Sequence, residues 1–514
     1  MKPDASMVLR HEPAEAVFLG LPDAGHWARH DGASLAAEAT WCDALVSAAA
    51  DDTSDLDHDE RALLRWARWR RYAIRDAAMH EVSLEGAFLP VAAWQFELLH
   101  GVDQAGRERM VARVEDLPRY LDQMAANLVA GQRRGRDVAW STVEAVATRE
   151  WPGCVAFLAD DGALATTLGA RATAALTDAR RAAQRFGEVL KDTLLPSAGA
   201  PPTLSAESVA FRLQETMGVT QSPRELVAVA RERLNEIRSA VAALTGADTT
   251  QGIAAAVAGV MATKVATTDA ITPLYRRHVD HAVAVLDRVA PGLLPSASTT
   301  HVDLAPQGLP HAANWPAPLA RPSGNATFFV GRQPEGHVVA WAADLAVHEA
   351  IPGHGLQSLV WQTRFGGSDV PARCLFMSDP VAIAHHFWGA MVNIEGWAVY
   401  AEGWMRDEGL FTPNETLCVW VSDAIRYARL VVDLSLNLGW MTEDAAVSFI
   451  VEHAFVSEGL ARGEVMRYRR IPLQSSTYAI GLEGIRSLQA AWKGPSDFHA
   501  WFLAQGPVPP GELA

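Results

Sequence analysis

The sequence predicts a mostly α-helical protein with a small β-hairpin or short sheet near one helix rich in titratable side chains. Three observations carry this. Apolar residues recur at helical period over most of the chain. The strand-like evidence is confined to one short run, Ala326–Val330, bounded by Ser-Gly-Asn and Gly-Arg. Turn-forming clusters fall between long helical runs, most clearly at Leu195–Ser205.

Taking the elements in order, Leu63, Leu64, Trp66, Trp69 and Ile74 make an apolar stripe on a helix from about Asp59 to Met79. Such a stripe is a core face far more often than a cofactor-binding face. Ala-rich amphipathic runs follow over Arg107–Ala130, Val138–Ala159 and Gly162–Leu194. The turn-rich connector LPSAGAPPTLS then divides an N-terminal helical region, 1–205, from a C-terminal helical region, 206–514, which carries the candidate site. Both are expected to be lobes of one compact domain. Ser222-Pro223-Arg224-Glu225 opens a helix with a capping serine, a proline in the first turn and a glutamate three residues after the cap; it should run to about Leu244 and stop at Gly246. Gly252–Thr263 is apolar but short, which suits a packed helix better than a membrane span. His337–Trp341 is either a partner for the strand or the lead-in to the next helix, and the sheet offers an edge to which an extended peptide could add.

Composition narrows the function classes. Forty-four basic against 60 acidic side chains give a net charge of −16, which argues against nucleic acid and anionic membranes as partners. The four cysteines form no CxxC pair and read as free buried thiols of a reducing compartment. With no apolar signal core at the N-terminus and no spanning run, the expected location is the cytoplasm.

The chain is organised around Trp341–Gln357, WAADLAVHEAIPGHGLQ. His348 and Glu349 end an apolar helical run, and His354 follows a Pro352-Gly353 break. Two neutral imidazoles can hold a divalent metal, zinc first among them, and an adjacent carboxylate can take a proton from its water. In HExxH the histidines lie four apart on one helix face. Here they are six apart, so on an unbroken helix they would diverge. Proline lacks the N–H that continues a helix and glycine tolerates unusual backbone angles, including positive φ; together they can swing His354 back. Asp344, one turn before His348, is placed to orient its ring.

Two histidines leave such a site one protein ligand short. Glu395 and Glu402, seven apart in NIEGWAVYAE, share a helix face, and either could ligate with the other behind it. His385 and His386 are weaker competitors without a partner at ligand spacing. Arg429, Asp433 and Asn437 form a polar stripe in an apolar helix and are expected to face substrate. Beyond them, Arg467, Tyr468 and Gln474 supply a cation, a phenol and an amide, and the Tyr478 hydroxyl could donate to a developing oxyanion.

HEAIPGHGLQ, EGWAVYAE, RLVVD followed by GWMTEDAA, and EVMRYRRIPLQSSTYAIG, in that order between Trp341 and Gly481, resemble the bacterial family known as domain of unknown function 885. That family is similar in fold to the thermostable zinc carboxypeptidases and, more distantly, to other HE-motif zinc peptidases whose third ligand is glutamate. The resemblance implies a large helical metallopeptidase-like fold with a central cleft, His348, His354 and Glu395 as ligands, and Glu349 as base. Two departures stand out: Asn437 where relatives commonly have histidine, and Gly355 where many have a second histidine. The first implies an altered substrate or lost peptidase activity.

The expected reaction is hydrolysis of a peptide or amide bond by water that Glu349 deprotonates on the metal, with Tyr478 assisting at the oxyanion. Two alternatives are an amide hydrolase of a specialised small metabolite and an inactive scaffold that binds a peptide or small molecule. No GxSxG elbow supports serine chemistry. The oligomeric state is left open.

Overall fold

The computed structural model describes residues 5–49, 56–296, 298–306, 312–495 and 497–513, and helices dominate it. The chain forms two compact units: Met1–Pro202 with Val370–Trp388, and Thr203–Asp369 with Gly389–Ala514. The division at 202/203 falls inside the turn-rich connector. A single cut at 205 misses the return of 370–388 to the first unit, which has a visible cause. Arg373 donates to both carboxylate oxygens of Asp59, at 2.8 and 2.9 Å, and Phe376 stacks on Trp66 with ring centroids 4.0 Å apart.

In the first unit, α1 (His58–Arg75) begins at a reciprocal cap in which Asp57 accepts from the Glu60 N–H and Glu60 accepts from the Asp57 N–H. All five residues of its apolar stripe are buried. Arg70 is buried among them because Glu38 takes it bidentately, at 2.6 and 2.9 Å. The long α2 (Gln104–Arg133) follows. Two expected helices are interrupted. The run over Val138–Ala159 widens into a π-type turn at Val146–Glu150, just before Pro152, which has no N–H to continue the ladder. The run over Gly162–Leu194 breaks at Gly169, whose φ of 70° no helix accommodates, and resumes as α3 (Thr173–Glu188).

In the second unit, α4 (Pro223–Thr245) has the Ser222 cap and a left-handed Gly246 stop, φ 66°. The Gly252–Thr263 run falls mostly in a helix, Thr250–Met261, that buries only Ile253 and Val257 along its length. After α5 (Ile271–Val289) come three strands, β1 (Thr299–Leu304), β2 (Ala312–Pro316) and β3 (Asn325–Val330), in the order β1-β3-β2. β1 runs parallel to β3 and β2 antiparallel. Only β3 is strongly apolar because it is central; β1 buries Val302 alone and β2 no residue fully, so neither shows a strand pattern in sequence. His337–Trp341 is the lead-in to α6 (Ala342–Glu349), with Val338 bridged to Lys264.

The remaining helices that build the site are α7 (His354–Phe365), α8 (Met391–Asp407), α9 (Pro413–Asn437), α10 (Glu458–Arg470) and α11 (Thr477–Ala491). Beneath α6, the side chains of Ala282 and Val285 from α5 meet Val347, Ala401, Met405 and Leu410 in one buried cluster. Burial of each larger aliphatic side chain there contributes roughly 1.5–3 kcal/mol. α8 and α11 touch backbone to backbone: a Cβ on Gly396 would lie 2.5 Å from Gly481, and one on Gly481 2.0 Å from the Val392 carbonyl oxygen. No helix among the described residues is long and apolar enough to cross a membrane, and all four cysteines are free and buried.

Candidate metal centre

His348 lies in the last turn of α6 and His354 opens α7, with the turn Ala350–Gly353 between the two helices. The turn folds back on the helix it leaves: Gly353 N–H donates to Val347 O at 2.9 Å and Leu356 N–H to Ala350 O at 3.2 Å. Trp397 of α8 braces it, its indole donating to Pro352 O at 2.8 Å. Gly353 does not adopt the positive φ expected of it; its φ is −74°. Glycine is required by crowding instead, because a Cβ would lie 2.0 Å from His348 O and 2.4 Å from Val347 O. Gly355 is similarly confined, 2.5 Å from Ala350 O at its would-be Cβ. A histidine there does not fit this backbone.

The fold-back brings the ring centroids of His348 and His354 to 4.8 Å. Glu395 of α8 meets both, its Oε2 3.5 Å from His348 Nε2 and 3.6 Å from His354 Nε2. These distances are too long for hydrogen bonds, and Glu395 Oε2 is a buried acceptor without a hydrogen-bond partner. Donor atoms on a tetrahedral zinc lie about 3.3–3.5 Å apart, given bonds of about 2.0–2.1 Å. The three ligand atoms, all within 4.8 Å of one another, are the single such group among the described residues. Two imidazoles and a carboxylate therefore fit a divalent cation in spacing and in chemistry. Burial opposes the charge of Glu395, but the two histidines outweigh it and hold its carboxyl far below the usual range. Burial likewise opposes the His348 cation, yet Glu395 and Glu402 raise its pKa to about 10; His354 is also raised, chiefly by Glu395 against burial.

Behind the ligands the sequence expectation needs correction. His348 Nδ1 is oriented by Glu402, at 2.5 Å, and Glu402 is held in turn by Arg426 at 3.0 Å. Asp344 does not hydrogen-bond His348: its Oδ2 accepts from the Trp341 indole at 2.9 Å and from the Ser422 hydroxyl. Burial first, and then Glu402, push the Asp344 carboxyl up to about 7. Glu395 and Glu402 thus stand on one face of α8 but on opposite sides of the His348 ring. His354 Nδ1 lies 3.4 Å from Gln357 Oε1, and Gln357 donates to Asn393, which donates to Val508 O.

Half-buried Glu349 accepts the backbone N–H of Asn314 on β2 at 2.8 Å, so the sheet edge fixes the candidate base. Tyr478 lies nearly parallel to His348, centroids 6.4 Å apart, with the Arg429 guanidinium 5.0 Å over its ring. Arg467 interacts electrostatically with Tyr478 and donates to Gln474 at 2.5 Å, while its side chain stays 32% exposed.

The other expected substrate contacts serve the scaffold. Arg429 is committed bidentately to Glu464, at 2.8 and 3.0 Å, and Tyr468 donates to the same carboxylate at 2.7 Å. Asp433 accepts from Leu473 N–H, the Ser476 hydroxyl and Asn437, and Asn437 also donates to Tyr468 O at 3.1 Å. All three of Asp433, Asn437 and Tyr468 are fully buried; a polar stripe inside a helix interface satisfies itself across that interface, and none of them is open to substrate. His385 and His386 belong to the first unit. Sequence reasoning missed Arg426, Gln357 and Asn314. Arg426 precedes Arg429 by one turn on the same stripe and could have been read from it, whereas Asn314 is tied to Glu349 only by tertiary pairing.

A family model described as bacterial protein of unknown function (DUF885) matches residues 13–514. Two solved structures share the fold over 99% of this chain and 97% of theirs: a candidate lipoprotein of unknown function from Shewanella oneidensis (TM-score 0.73, 17% identity) and a candidate lipoprotein from Colwellia psychrerythraea (TM-score 0.75, 15% identity). No curated protein matches the sequence.

Proposed function

We propose that this chain, which belongs to the DUF885 family of bacterial proteins, is a divalent-metal hydrolase of peptide or amide bonds. The observation that carries the reading is the unpartnered Glu395 Oε2 standing nearly equidistant from two imidazole nitrogens, with Glu349 next in sequence to one of them. When bound, a cation such as zinc supplies a Lewis acid that polarises the amide carbonyl and acidifies a water. His348, His354 and Glu395 would hold it, with Glu402 fixing the His348 tautomer so that Nε2 faces the centre.

Within this reading Glu349 accepts the proton of the attacking water and later returns it to the departing amine. The Asn314 N–H keeps one oxygen of Glu349 in place and leaves the other free for that transfer. Tyr478 offers its hydroxyl to the developing oxyanion. Arg467 is the partly exposed cation beside it, suited to a carboxylate on the substrate. One observation favours a short substrate over a long extended peptide: the Asn314 N–H, which an added strand would use, is already taken by Glu349. Cytoplasmic residence remains a proposal resting on the free cysteines; the lipoprotein descriptions of the two structural relatives point elsewhere, and cell fractionation decides it.

The test is Glu349→Gln, which keeps shape and ligands but removes the proton acceptor. On any hit from blocked dipeptides, free dipeptides and N-acyl amino acids, turnover should fall at least about 100-fold while metal content is unchanged. Equal rates in both proteins would remove Glu349 from the chemistry.

A further inference from the structure

The pair His385–His386, unused by the metal centre, leads to a second polar site that lies wholly within the first unit. Glu12, His30, Arg70, His80, Tyr120 and His385 line a cavity of about 50 Å³, space for about three or four waters. Its polar groups are unevenly matched. Glu12 is 1% exposed; His385 Nε2 sits 2.8 Å from its Oε2, whereas Oε1 has no hydrogen-bond partner and approaches Arg70 only to 3.6 Å. Arg70 is occupied by its two bonds to Glu38. His30 Nε2 and His80 Nδ1 are also buried without a hydrogen-bond partner. The other His80 nitrogen lies 3.9 Å from Glu81, beyond hydrogen-bond reach, and with the proton on Nε2 the Nδ1 atom is an acceptor.

The cavity therefore holds one charged acceptor, Glu12 Oε1, and two unpartnered imidazole nitrogens, each an acceptor in one of its ring's two neutral tautomers. Burial holds His30 neutral, its pKa down to about 3, and lowers His80 as well. For Glu12, burial acts against ionisation, but His385 and Arg70 outweigh it and keep the carboxylate charged. An anion finds no uncommitted cation here. A transition metal is disfavoured because no three of these ligand atoms come as close together as those of His348, His354 and Glu395. A primary ammonium group has three donors and no acceptor, and Tyr120 adds an aromatic wall.

We propose that this cavity is a binding site for a primary ammonium group, held by Glu12 Oε1, His30 Nε2 and His80 Nδ1. The site is independent of the metal centre and of the reaction assigned to it. The probe is methylammonium, titrated into the full-length protein by calorimetry and thermal unfolding, with tetramethylammonium at equal ionic strength as control. Methylammonium should bind saturably and raise the Tm; tetramethylammonium, which has no N–H, should do neither. Glu12→Gln should weaken methylammonium binding at least about ten-fold through loss of a charge-assisted hydrogen bond. If that variant does not fold, His80→Phe, at a half-buried position, should weaken it too. Equal binding of both cations, no saturable binding of methylammonium, or unchanged affinity in the variants overturns the proposal. So does a second equivalent of zinc that disappears in His80→Phe.

Discussion

Each unit carries a buried cluster of histidine and glutamate, and the two behave differently. In the second unit, Glu395 stands 3.5 and 3.6 Å from two imidazole nitrogens, too far to bond either. In the first unit, Glu12 closes on His385 at 2.8 Å, and the neighbouring Arg70 is neutralised by Glu38. Composition alone would nominate both as metal sites. Spacing separates them: Glu395 and the two imidazole nitrogens lie within 4.8 Å of one another and fit a metal ion, whereas no three ligand atoms of the first-unit cluster come that close. What holds the Glu395 set apart is the Ala350–Gly353 turn and the glycine contact between α8 and α11.

The largest effect should come from filling that turn. Gly353→Val places side-chain atoms where the His348 and Val347 carbonyl oxygens lie, 2.0 and 2.4 Å from the Cβ, so the turn must open and His354 must leave. Metal should be lost altogether and the Tm lowered; full metal retention would show that the turn does not set the spacing.

A smaller effect should follow from disturbing the carboxylate behind His348. Glu402→Gln keeps the size but weakens the 2.5 Å contact to Nδ1. Metal affinity, measured by competition with a chelator, should drop about 10–100-fold, whereas Asp344→Asn should change it less. The reverse ranking would restore the expectation drawn from helical spacing.

The pH dependence is graded. In the metal-free protein the pKa of His348 is raised to about 10 and that of His354 is raised above its ordinary value. Metal must therefore displace protons, and affinity should climb by about tenfold per pH unit for each proton released between pH 6 and 8. The same protons stabilise the metal-free fold below the ordinary histidine range, and that stability is lost as pH rises through about 10. A pH-independent affinity would mean that the imidazoles are not the ligands.

Much of the centre could be read before the fold was known, because His348, Glu349, His354 and Glu395 are chemically improbable neighbours unless the Pro-Gly break reunites them. The helical class followed from periodicity, and the Ser222 cap and Gly246 stop were placed by their own local chemistry. What failed shares one cause. Asp344 sits at helical spacing from His348, yet the free nitrogen of that ring faces α8, so Glu402 takes it. Arg429, Asp433 and Asn437 form a stripe that is polar either way, and only the presence of α10 and the Leu473–Ser476 turn shows that it is spent internally. β1 and β2 owe their existence to pairing with β3 rather than to their own residues. Local signals survive in sequence; partner choice between distant segments does not.

The central claim is that spacing makes one cluster a metal site and the other not, and metal content tests it most directly. The protein, His348→Ala and His385→Ala are each dialysed against zinc, freed of loose metal and analysed for bound ion per chain. The account predicts about one ion in the native protein, essentially none in His348→Ala, and about one in His385→Ala. A native protein without metal, or a His348→Ala variant that keeps its ion, would contradict it.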